Sequence, residues 1–171
     1  MRQTRLACAV LAVALPLLAS ASASALELQR PEPGFGGLSW GDAPTADMVL
    51  VDGQANGEAI YRKAADPTDV AGVPTDAVRY VFWKSRLMMV GLHGAKGFSA
   101  LLSSLAESWG PGFQSDMKQQ RFTWTSEGTS GRTIAGLDME NATGFYLAIF
   151  SEELTDAMEV ERAMGEKSAA R

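Results

Sequence analysis

His93 is the single histidine of a 171-residue chain, and Asp138 and Glu140 stand two positions apart. These three side chains are where acid–base chemistry would have to be assembled. A spacing of two on a strand puts both carboxylates on one face. There they could form half of a hard-cation site or, with an imidazole, a general acid and base. The plainer reading is a solvated strand face beside Asn141-Ala142-Thr143, because acidic residues are mostly exposed. His93, at a predicted strand end next to Gly94, reads more simply as a structural or rim residue, with a general base as the alternative. Cys8 is the only cysteine, so thiolate catalysis and cysteine-ligated metal have little to build on, and one histidine cannot make a multi-histidine centre. Gly36-Gly37 and the Gly94 to Gly97 stretch lack the spacings that aim backbone N–H groups at a phosphate. These residues nominate no catalytic group, no metal ligand and no cofactor.

The aromatic and thioether residues are the other source of chemistry. Phe35, Trp40, Trp83, Trp109 and Trp124 with Met88 and Met89 are a large apolar payload for so short a chain. Most must fill a core. Trp83 beside Lys84, together with Met88 and Met89, forms the group whose exposure would make a binding patch.

Composition limits the partners. Hydrophobic residues make up 46% and charged residues 20%, a globular balance that excludes a wholly disordered chain. Lys and Arg total 15 against 20 for Asp and Glu, which disfavours nucleic acid, since phosphate binding needs a basic face. Residues 1–25 carry Arg2 and Arg5, an apolar run from Leu6 to Leu18 and a string of small residues ending Ala23-Ser24-Ala25. That is the pattern of a secretory signal with a cleavage site after Ala25. The run of about 13 apolar residues is short of the roughly 20 needed to span a bilayer, so no stable membrane span is expected after cleavage. The Ala-rich leader reads as bacterial, with the periplasm or the medium as destination. Cys8 starts the apolar run instead of ending it, which is the wrong place for a lipidated residue. The predicted division is a signal at 1–25, an extended leader at 26–37 rich in Pro and Gly, one domain at 38–165 and a polar tail at 166–171.

The elements that must position these residues follow from periodicity. Ala77 to Trp83 and Arg86 to His93, separated by Lys84-Ser85, predict a hairpin. Phe98, Leu101, Leu102, Leu105 and Trp109 recur at helical spacing, and Gly110-Pro111 ends the stripe. Gln120 to Ser126, Arg132 to Glu140 and Gly144 to Phe150 predict three strands with linkers short enough to force antiparallel pairing. Glu58 to Lys63 reads as a short strand, Thr45 to Val51 as a helical turn, Asp52-Gly53 as a turn, and Glu153 to Gly165 as a C-terminal helix. Strands joined by hairpins, with no β-α-β alternation, predict an α+β fold: an antiparallel sheet of five or six strands, with one main amphipathic helix and the C-terminal helix on one face.

The order Phe35-Gly36-Gly37-Leu38-Ser39-Trp40-Gly41, then Tyr80-Val81-Phe82, then Trp109-Gly110-Pro111-Gly112, then Phe122-Thr123-Trp124 resembles a family of small uncharacterised exported bacterial proteins. Their members open with F-x-G-I-x-W/F-G and continue with a Y-x-F hairpin, a helix closing in Y-G-x-G and a strand carrying an aromatic-x-W pair. The resemblance covers roughly Phe35 to Ser151, with Trp109 where the family more often has tyrosine. It implies an α+β fold and no established reaction, and it carries over no catalytic residue. The function expected is therefore a non-enzymatic envelope module. It would bind a protein, a peptide or a cell-wall component through the apolar side of the hairpin or an exposed strand edge. The alternatives are a small hydrolase or isomerase built on His93 with Asp138 or Glu140, and a binder of small apolar ligands between sheet and helix.

Overall fold

Two positive φ values in succession, 50° at Lys84 and 60° at Ser85, make the tight two-residue turn that matches the right-handed twist of paired strands. That turn joins the central hairpin of a computed structural model describing residues 30–53, 57–116, 118, 120–128 and 131–169. The expected signal at 1–25 lies outside the described residues. In chain order the elements are β1 (Gly34–Phe35), β2 (Leu38–Ser39), β3 (Met48–Gly53), β4 (Glu58–Lys63), β5 (Asp69–Val70), β6 (Val73–Pro74), β7 (Ala77–Trp83) and β8 (Arg86–Gly94). They continue with α1 (Phe98–Trp109), β9 (Phe113–Asp116), β10 (Arg121–Gly128), β11 (Gly131–Glu140), β12 (Gly144–Ser151) and α2 (Glu152–Ala169). No helix among the described residues is long and apolar enough to cross a membrane.

Eight strands form one antiparallel sheet in the order β3-β4-β7-β8-β12-β11-β10-β9. It consists of two four-strand runs, β3-β4-β7-β8 and β9-β10-β11-β12. Helix α1 carries the chain from the middle of the sheet to its far edge, and the second run returns so that β12 pairs with β8. Two small hairpins, β1-β2 and β5-β6, lie outside this sheet.

The alternation of β7, β8, β12 and β11 sets the core. Val78 and Tyr80 stand opposite Leu92 and Val90, which stand opposite Leu147 and Ile149, and these opposite Leu137 and Ala135. All eight are buried. Helix α1 buries Phe98, Leu101 and Leu105. Its ends meet β10, with ring centroids 6.3 Å apart for Phe98 and Phe122 and 5.7 Å for Trp109 and Trp124. The segment before β3 contributes as well: Phe35 lies edge-on to Tyr80 at 6.2 Å, and the Trp40 indole N–H donates to the buried Thr133 hydroxyl at 2.8 Å.

The expected sheet of five or six strands under a main helix is corrected to an eight-stranded, mostly β architecture with two helices among the described residues. The principal error lies at Thr45 to Val51, where a helical turn was expected and β3 forms. A single turn of helix fixes several residues for one hydrogen bond, whereas Met48 to Leu50 gain a full ladder to Lys63, Arg62 and Tyr61. Asp52 and Gly53 continue that ladder, opposite Ile60 and Ala59, instead of turning. Strand β9 was not expected at all. Nor do the helices share one arrangement: α1 lies on the face of Phe122 and Trp124. The first turn of α2 is instead tied through Glu152 to Arg132, which alternates with Thr133 and points to the opposite side.

Glycine spacing within the central strands is tight. A Cβ at Gly94 would stand 2.3 Å from the ring of Phe145, which is fully buried and cannot swing aside. Gly136 has nothing within 4 Å of such a Cβ. Gly94→Ala is therefore expected to cost about 1–3 kcal/mol through overpacking. Gly136→Ala should be neutral or stabilising by up to about 1 kcal/mol, since it lowers the entropy of the unfolded chain. Urea unfolding of the two variants beside wild type measures both.

Candidate functional site

Register brings the chemistry-bearing residues into one row. His93 on β8 stands opposite Tyr146 on β12, Tyr146 opposite Asp138 on β11, and Asp138 opposite Arg121 on β10. This row lies on the sheet face away from Leu92, Leu147 and Leu137. Glu140 reaches His93 from the end of β11, with Oε2 2.6 Å from the imidazole Nε2. Asp138 is engaged by Arg121 through two bonds, 2.5 Å to Nε and 3.2 Å to Nη2. The two acids thus have different partners, and His93 meets Glu140, not both.

Tyr146 sits between the pairs. Its ring lies across β8, so that a Cβ at Gly91 would fall 2.6 Å from the phenol oxygen. Burial raises its pKa above the ordinary tyrosine value, and the negative charges of Glu140 and Asp138 add to that. Tyr80 is displaced the same way by burial and by Asp66, whose carboxylate accepts from its hydroxyl at 3.0 Å. An imidazole held by a carboxylate beside a phenol can move a proton. The His93 and Glu140 side chains are 44% and 38% exposed, however, and a contact at that exposure lies in high dielectric and is weak. A cavity of about 510 Å³ lies elsewhere, between Arg30, Pro31, Trp109, Trp124, Glu127 and Thr133, and none of the row's residues lines it. Among the described residues no group of three or more His, Cys, Asp or Glu is placed to hold a metal ion.

The hairpin patch is differently placed. Trp83 and Met88 are buried, and Met89 is partly buried against the same core. Lys84 lies over the Trp83 ring, 4.9 Å from its centroid, and pairs with Glu161 of α2. The apolar side of the hairpin therefore belongs to the interior.

Exposed apolar side chains stand at Val160 and Met164 of α2 and, more densely, at the sheet's edges. Val49, Leu50 and Val51 on β3 are 52%, 55% and 48% exposed. Strand β3 is bonded to β4 alone, so its outer row of N–H and C=O groups faces away from the sheet. Val51 is the extra residue of a bulge and has no partner on β4. At the opposite edge Phe113 of β9 is also exposed. The sequence signal for β3 was a run of Met-Val-Leu-Val closed by Asp-Gly, rich in β-branched residues but without the alternation that marks a half-buried strand.

No family model, no curated protein and no solved structure matches the chain. The residues of the site thus have to be read on their geometry.

Glu140→Gln is expected to lower stability by less than about 1 kcal/mol, the range of exposed ion pairs, as denaturant unfolding near neutral pH will measure. The buried phenols give a pH dependence of definite sign. Their pKa values are raised in the folded state, so the stability they carry is intact below about pH 10, the unfolded tyrosine value. It declines as pH climbs toward the folded values. Phenolate absorbance followed across an alkaline titration should show Tyr80 and Tyr146 ionising later than free tyrosine, and together with unfolding.

Proposed function

We propose that this protein is an exported, non-enzymatic interaction module that takes an extended polypeptide segment along the open edge of β3. The observation that carries the reading is the coincidence of an unpaired backbone row with three successive, half-exposed apolar side chains at Val49, Leu50 and Val51. Natural edge strands are commonly blunted by lysine, proline or a bulge. Between Met48 and Leu50 this edge has neither lysine nor proline, and the bulge begins only after Leu50. Backbone pairing supplies affinity without special side chains, and the alternate side chains supply preference. The export element of the reading rests on the leader pattern of residues 1–25. The kinship to small exported bacterial proteins rests on the aromatic and glycine motifs.

Leu50→Lys tests it directly. The substitution is on an exposed side chain, where changes in stability stay within about 0.5 kcal/mol, and it installs a charge that edge pairing does not tolerate. Wild type and Leu50→Lys, checked for equal thermal unfolding, are used as baits against envelope extract. A component retained by wild type and lost by the variant is the expected result. An identical retained set from both baits would remove the β3 edge from the reading.

A further inference from the structure

We propose that the strand received by β3 is the β3 strand of a second copy of this chain, running antiparallel about a two-fold axis through Val49. The inference rests on the edge-binding reading above and names its occupant. Isologous contacts of this kind require a self-complementary stretch, and the sequence of β3 permits only a few centred registers. Centring between Val49 and Leu50 would set Asp47 opposite Asp52 of the second copy, acid against acid. Centring on Leu50 would set Val49 opposite the bulged Val51, where the ladder is irregular. Centring on Val49 avoids the acid–acid pair and moves the bulged Val51 from beside the centre of the ladder to its end. Met48 then faces Leu50 of the second copy, Val49 faces Val49, and Asp47 faces Val51.

The side chains agree with this register on both faces. Met48 and Leu50 stand opposite Lys63 and Tyr61, on the face where Lys63 lies over the Tyr80 ring at 5.4 Å. Pairing there sets a thioether against an isobutyl group, flanked by the Lys63 stem on one side and the Tyr61 ring on the other. On the opposite face Val49 stands against Arg62, so the order across the joint is Arg62, Val49, Val49 and Arg62. Three strand spacings separate the two guanidiniums, about 14 Å, which exceeds the screening length of about 8 Å at physiological salt. Like charges therefore do not oppose the contact, and the six central apolar side chains, three from each copy, leave water together. The paired stretch is short, so the association expected is weak and reversible, in the micromolar range.

Two measurements on the exported full-domain protein decide it. Sedimentation velocity from about 1 to about 200 µM, a span that brackets such an affinity, should show a shift from monomer toward dimer in wild type and none in Val49→Lys. In the same protein, whose sole native cysteine, Cys8, leaves with the leader, Val49→Cys should give a disulfide-linked dimer on mild oxidation, because directly opposed antiparallel residues fall within the Cα separation a disulfide accepts. Leu50→Cys, which faces Met48 of the second copy, should give far less. Wild type that stays monomeric throughout, or a dimer that persists in Val49→Lys, overturns the second-copy inference. Equal cross-linking of the two cysteine variants overturns the register on which it stands. If wild type is monomeric while Leu50→Lys still loses an envelope component, the edge-binding reading survives without the self-pairing. If neither effect is seen, both fall.

Discussion

The pairing of β12 with β8 holds the molecule together as one sheet. Each four-strand run is built from neighbours in sequence, and within the sheet the runs are joined through the ladder from Phe145 opposite Gly94 to Phe150 opposite Met89. Contacts between segments so far apart in sequence carry a loop-closure cost before they return anything. The offset comes from Leu92, Val90, Leu147 and Ile149, which are fully or almost fully buried on one face of that ladder. Glycine is needed where the strands are most crowded: Gly94 accommodates the Phe145 ring and Gly91 the Tyr146 ring. Side-chain size at these two positions is therefore set by ring packing across the joint, not by any need for unusual backbone angles.

The same joint explains which parts of the fold could be read from the sequence. The β7-β8 hairpin, helix α1 and strands β10 to β12 carry their signals locally, as aromatic alternation, a helical stripe or short turn linkers, and they form where expected. Strand β3 carries no such signal, because beyond Met48 its residues are exposed on both faces and its apolar residues follow one another without a period. The burial of Trp83 and Met88 is illegible for the opposite reason. A central hairpin covered on both faces reads as a continuous apolar run, and such a run cannot tell which ring will meet solvent. The approach of His93 to Glu140 depends on the registers of two successive strand pairs, β8 with β12 and β12 with β11. Spacing along the chain places Asp138 and Glu140 on one face but leaves open which of them the imidazole meets.

Within the row of His93, Tyr146, Asp138 and Arg121, polarity is arranged as alternation of charge. Arg121 is satisfied by Asp138 and the imidazole stands against Glu140, with the phenol between the two pairs. An opposite-charge pair set directly across neighbouring strands, as Arg121 and Asp138 are, stabilises a sheet by a few tenths of a kcal/mol. That is enough to favour this register over a one-residue slip, which would turn the whole row into the core and the core residues out. The arrangement therefore has a sufficient structural cause in specifying strand alignment, and the chemistry of the imidazole is not needed to explain why these residues are together.

An open antiparallel sheet has two edges, and here they differ in what they leave available. At β9 the ladder to β10 is short and shifts register between Arg121 and Phe122, so an incoming strand would meet an irregular and twisted row. At β3 the irregularity is confined to Val51, and Met48 to Leu50 remain in regular register with β4. The bulge sets a boundary: it interrupts the regular ladder after Leu50, as bulges on edge strands commonly do, while leaving a stretch of three residues that can engage. A contact of that length suits reversible binding, because the apolar area it covers is small and the rest of the strand is turned out of line.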